Sequence, residues 1–154
     1  METSVELAIQ QLRDNRLMQT EEQLALYEAR LHEMGGDEDV THVVGLCQAF
    51  DDSTDHHEVM SGLIPVIEDY AAFSSREEQL RYFVQGAPSM LPHAAEWLRT
   101  MLVRILNNAE ARPLLGQLLA ASPTITQESV KNALRKIGAE SPDRFAGKVA
   151  EVIE

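Results

Sequence analysis

Five histidines are the first candidates for a metal ligand or a general base: His32, His42, His56, His57 and His93. No two of them have the His-x-x-x-His spacing that sets two ligands on one helix face. The densest polar stretch is Asp51-Asp52-Ser53-Thr54-Asp55-His56-His57-Glu58. Carboxylate and imidazole in that density could hold a cation. The stretch has no glycine at the sharp turn of a calcium loop, however, and its acids do not alternate as that loop requires. It reads as a solvated turn leading into a helix, where acids are favoured by the helix dipole. No metal and no cofactor is expected.

Nucleophiles fare no better. Cys47 follows Leu46 on an apolar stretch and reads as a small buried residue. No Gly-x-Ser-x-Gly occurs, and the glycines are scattered where a phosphate cradle needs them clustered. Lys131, Arg135 and Lys136 form a modest basic patch, but basic residues do not cluster with aromatics, so nucleic acid is not an expected partner. An enzyme using the His56-His57 region would need a bound metal or a deep pocket lined by that pair. Without a catalytic constellation, the expectation is a binding protein and not an enzyme.

Acid remains as the distinguishing feature. The chain of 154 residues carries 25 acids and 13 bases, a net charge of −12. Residues 1–79 hold 18 of the acids and 4 of the bases, about −14, while residues 80–154 hold 7 and 9, about +2. Such a field repels nucleic acid and anionic membranes and attracts basic partners. The candidate contact residues are Asp37, Glu38 and Asp39 before the third helix, and Asp51, Asp52, Asp55 and Glu58 after it. If alternate turns share an edge, these clusters lie at opposite ends of that helix. A partner would meet one cluster, or lie along the helices between them.

The elements that must position these groups are helices, because apolar residues recur at helical spacing throughout. The first helix spans about 4–13. Thr20 opens a second, which Gly35-Gly36 stops. A third starts near Asp37 and carries Val40, Val43, Val44 and Cys47. Asp55 and Glu58 have the residue types that open a fourth, running to about Phe73 with a kink at Pro65. Ser74 or Ser75 opens the fifth. The sixth runs from about Pro92 to Asn107, the seventh over about 110–120, and the eighth from Thr126 to a stop at Gly138. Pro142 stands at the first position of a last helix. About nine helices joined by short turns predict one all-α domain over 1–154, a degenerate HEAT-like α-solenoid of stacked antiparallel hairpins. An irregular bundle is the alternative.

Trp97, Leu98, Met101, Leu102 and Ile105 make a broad stripe on the sixth helix, with Val103 and Leu106 well away from it, so this helix is expected to be covered on both sides. Glu68 falls on an apolar row of the fourth helix and needs a partner. Arg104 on the sixth helix is the candidate partner, with two separate solvated charges as the alternative, and Trp97, Arg104 and Glu68 are read as structural core. No apolar run is long enough to span a bilayer, and the first residues are acidic where a secretory signal is basic. With one cysteine, these features suit the cytoplasm.

Three strings carry a resemblance: Leu46-Cys47-Gln48-Ala49-Phe50-Asp51-Asp52, Glu58-Val59-Met60-Ser61-Gly62-Leu63-Ile64-Pro65-Val66-Ile67-Glu68, and the segment from Glu96-Trp97 through Arg104-Ile105-Leu106-Asn107. Over about residues 40–150 the chain resembles the Immunity protein 30 family of bacterial polymorphic toxin systems. The resemblance implies a cytoplasmic antidote that binds a cognate toxin domain, often a basic nuclease, and blocks it without catalysis. A helical scaffold or adaptor for another basic protein is the second reading.

Overall fold

The computed structural model describes residues 3–154. Among them there are helices and connections but no strand. The helices are α1 (Ser4–Asp14), α2 (Glu21–Met34), α3 (Val43–Leu46), α4 (His57–Met60) and α5 (Leu63–Asp69), then α6 (Arg76–Gly86), α7 (Ala95–Leu106), α8 (Ala111–Ala120), α9 (Thr124–Glu140) and α10 (Pro142–Ile153). Short 3-10 turns extend α3 at both ends, and another continues α5 through Ala72. With α4 and α5 taken as one broken unit, the described residues form nine helical units, as the spacing predicts.

Local chemistry explains most of the starts. Thr3 and Glu6 cap α1 reciprocally: the Thr3 hydroxyl accepts from the Glu6 amide at 3.0 Å, and Glu6 accepts from the Thr3 amide at 2.9 Å. Thr20 caps α2 through the Gln23 amide, and Ser75 caps α6 through the Glu78 amide. The connection from α1 to α2 turns at Met18, whose φ of 49° lies in the left-handed region. Its side chain is buried.

Several boundaries differ from expectation: the sixth helix begins at Ala95 and not Pro92, the eighth at Thr124 and not Thr126, and four more have a local cause. The third unit begins at Val40 and not at Asp37, because the Asp39 carboxylate takes the Thr41 amide. The fourth starts at His57, with no side-chain cap from Asp55. It breaks at Ser61-Gly62 and not at Pro65. Proline has no N–H for the Ser61 carbonyl, so Ile64 donates to that carbonyl in a tighter turn at 3.1 Å. Pro65 then sits in the first turn of α5, where it is tolerated. The eighth unit runs through Gly138, which is buried against Ala146 and Val149 of α10, and ends before Pro142.

Helices contact in a regular order. Along one side α1 meets α3, α3 meets α6, α6 meets α8 and α8 meets α10. Along the other, Leu31 of α2 packs at Gly62, Glu68 of α5 reaches Arg104 of α7, and α7 meets α9. The two sides are joined by consecutive pairs such as α1 with α2 and α9 with α10, and also by α6 with α9. The core between them is largely aliphatic, with Leu12, Leu46, Leu63, Ile67, Leu98, Leu102, Leu115 and Leu134 fully buried.

The sixth helix is not covered on both sides. Glu96, Thr100 and Arg104 are exposed and repeat every four residues, which makes one solvent stripe along α7. Val103 borders that stripe and is only partly buried, while Leu106 turns into the core.

Candidate binding surface

The polar stretch after the third unit is built into the scaffold. Asp51 is 8% exposed. Its carboxylate meets Arg16 Nε at 3.3 Å and accepts from the Ser53 amide at 2.9 Å, while its carbonyl accepts from Trp97 Nε1 at 3.2 Å. Arg16 also donates to the Gln48 carbonyl at 2.8 Å. Asp52 caps α7 from a distant part of the chain. Its carboxylate accepts from the Glu96 and Trp97 amides at 3.0 and 3.2 Å, and its own amide donates to the His93 carbonyl at 2.8 Å. These amides belong to the first turn of α7 and have no acceptor within the helix. Trp97 closes the node, tilted against Phe50 with ring centroids 5.4 Å apart.

The two neighbouring histidines are drawn apart. His57 stacks on Trp97, centroids 5.9 Å apart, and its Nε2 lies 3.0 Å from the Asp52 carbonyl oxygen. His56 faces Glu58, with 3.2 Å from Nδ1 to Oε1. Among the described residues no group of three or more His, Cys, Asp or Glu side chains converges on a point that could hold a metal. His93 is pushed below the usual histidine range, first by burial and then by Arg16. Cys47 is fully buried, and burial pushes its thiol up to about 12, far from a thiolate nucleophile.

The first acidic cluster is also divided. Asp37 faces inward: its Oδ2 accepts from the Tyr70 hydroxyl at 2.6 Å and lies 2.7 Å from His42 Nδ1. Burial and this carboxylate both push the Tyr70 phenol up. Glu38 and Asp39 stay exposed, as do Asp55 and Glu58. Asp39 is held below the usual carboxylate range chiefly by the Thr41 hydroxyl, which donates to it at 2.7 Å. So Asp37, Asp51 and Asp52 make contacts within the fold, while Glu38, Asp39, Asp55 and Glu58 are exposed. Sequence order cannot separate the two groups, because adjacent acids point in different directions out of a tight turn.

Glu68 and Arg104 meet in a two-pronged ion pair, Nε to Oε2 and Nη2 to Oε1, each 2.8 Å. The pair lies at the surface and not in the core, with the side chains 32% and 53% exposed. Solvent therefore screens it, and a pair of this kind contributes about 1 kcal/mol or less. The remaining exposed surface of the first half includes two residues that sequence reading passed over. Phe73 ends the broken fourth unit and is 55% exposed. Asp69 is exposed beside it, in no ion pair among the described residues.

Taken together, these features define a class: a small all-α protein whose polar residues either bind its own helix ends or form an acidic exterior over the first half. A family model described as Immunity protein 30 matches residues 14–115, about two thirds of the chain. The chain belongs to the Immunity protein 30 family. The match begins earlier than the resemblance read from the strings, taking in α2, and stops within α8, before α9 and α10. No curated protein and no solved structure is similar enough to the chain to count as a match. No helix among the described residues is long and apolar enough to cross a membrane.

Proposed function

We propose that this chain is an antidote that binds a cognate bacterial toxin domain in the cytoplasm and neutralises it by direct contact, with no catalytic step of its own. The family match over residues 14–115 carries this reading. The charge distribution supports a basic partner, since acid concentrated on the N-terminal half speeds capture of a cationic surface. Of the seven acids singled out from the sequence, Glu38, Asp39, Asp55 and Glu58 are exposed. The alternating contacts of the helices support a degenerate stack of helical hairpins as the scaffold, a form that offers long surfaces to proteins.

The test is co-expression with the toxin domain encoded by the adjacent upstream gene. Cells should survive the toxin only when this chain is present, and the two proteins should co-purify. Survival without a complex would rule out neutralisation by contact. A stable complex with a different basic protein, and no rescue, would favour the scaffold reading.

A further inference from the structure

A hollow lies where the end of α2 meets the broken fourth unit. Met34, Pro65, Val66 and Phe73 are its apolar lining, and Asp37 and Asp69 line it as well. Its volume is about 170 Å³. At about 30 Å³ per water that is on the order of five or six waters, room for one long side chain and not for a folded element. The Asp37 Oδ2 is already taken by Tyr70 and His42, whereas Asp69 is exposed and in no ion pair among the described residues. Phe73 is one of three large apolar side chains that stand well exposed among the described residues, and of the three it alone lines this hollow.

We propose that this hollow seats one lysine or arginine side chain of the partner. The inference rests on the reading of the chain as a binder of a basic protein and names the anchor of that contact. A long cationic side chain fits on both counts. Its methylene stem can lie along Phe73, Pro65 and Val66, and its head can reach the Asp69 carboxylate. A guanidinium or ammonium over the Phe73 ring would gain a further attraction. A purely apolar side chain would leave Asp69 unpaired, and an acidic one would be repelled. Glu38 and Asp39, which follow Asp37 in the chain, are exposed acids. Asp69 also lines the neighbouring hollow, with Glu68, Arg76 and Arg104, and of these two cations Arg104 is committed to Glu68.

Two measurements on the full chain test this. The first is an amide chemical-shift titration with N-acetyl-arginine methylamide, and with N-acetyl-norleucine methylamide as the uncharged control. The arginine derivative should perturb Asp69 and Phe73, the norleucine one should not, and Asp69→Asn should remove the difference. Equal responses to both compounds, or shifts spread over the acidic surface but missing the hollow, would overturn the proposal. The second measures affinity for the toxin domain from the adjacent gene. Phe73→Ala and Asp69→Asn should each weaken binding on the order of tenfold, the effect of a side chain central to a contact. Ile125→Ala, 78% exposed elsewhere, should leave binding unchanged.

The two readings fail separately. If the toxin binds the wild type and both variants equally, the hollow is not the anchor, although the antidote reading stands. If the toxin does not bind but the arginine derivative still seats beside Asp69, the antidote reading falls and the cationic site stands. If the wild type self-associates and Phe73→Ala makes it monomeric, a second copy occupies the hollow and the proposal is wrong.

Discussion

Trp97 and Asp52 show how much of this protein depends on single side chains. Trp97 is buried between Phe50 and His57 and donates to the Asp51 carbonyl, so Trp97→Ala removes packing and leaves that carbonyl without its donor. We expect a loss of about 3–5 kcal/mol, the range for buried large aromatics, read as a fall in the urea midpoint. A midpoint within error of the wild type would show that the indole is not structural. Asp52→Ala should cost about 1 kcal/mol by stripping two amides of α7 of their acceptor. Asp52→Asn keeps one of the two oxygen acceptors and should recover part of it. A loss in Asp52→Asn as large as in Asp52→Ala would mean that one oxygen acceptor alone gives α7 no cap.

Helix packing depends on where glycine stands. At Gly86, a Cβ would come within 2.8 Å of Cys47 Sγ and 3.0 Å of the Val44 carbonyl oxygen, so α6 lies too close to α3 for any side chain. Gly86→Ala should therefore destabilise by about 1–3 kcal/mol, as overpacking does. Gly147 is the opposite case. It is exposed inside α10, with nothing within 4 Å of the position its Cβ would take. Gly147→Ala should stabilise by up to about 1 kcal/mol, the helix propensity difference. Thermal unfolding of the two variants should move in opposite directions, and a shared direction would contradict the packing described for α3 and α6. Gly86 stands at the end of its helix and Gly147 inside one, but the neighbouring helix decides what a side chain would meet at each.

For the molecule as a whole, the relevant quantity is the uneven charge. Reversing Asp51, Asp52 and Asp55 together would be a poor probe of it, because the first two hold α7 and Arg16 in place. Asp55→Lys with Glu58→Lys changes the field by four units of charge at exposed positions. Association with a basic toxin should slow at low salt, while the melting temperature stays near that of the wild type. The difference should shrink as ionic strength rises to about 0.15 M and beyond, where screening acts within about 8 Å. An association rate that is unchanged at low salt would remove these two residues from the capture surface.

The sequence by itself determined the helical class, the nine units and the caps of α2 and α6, because those follow from spacing and from residue types within one turn of each other. It also determined the acidic half, since charge is a sum over residues and needs no geometry. The pairing of Glu68 with Arg104 could be proposed from apolar rows alone, but its place at the surface could not. Only the tertiary structure decided which acids face out. Asp51 and Asp52 are consecutive in the chain, yet one reaches Arg16 and the other the first turn of α7. Their partners come from segments some 35 and 45 residues away. Local spacing carries no information about such distant approaches, which are set by how the helices pack.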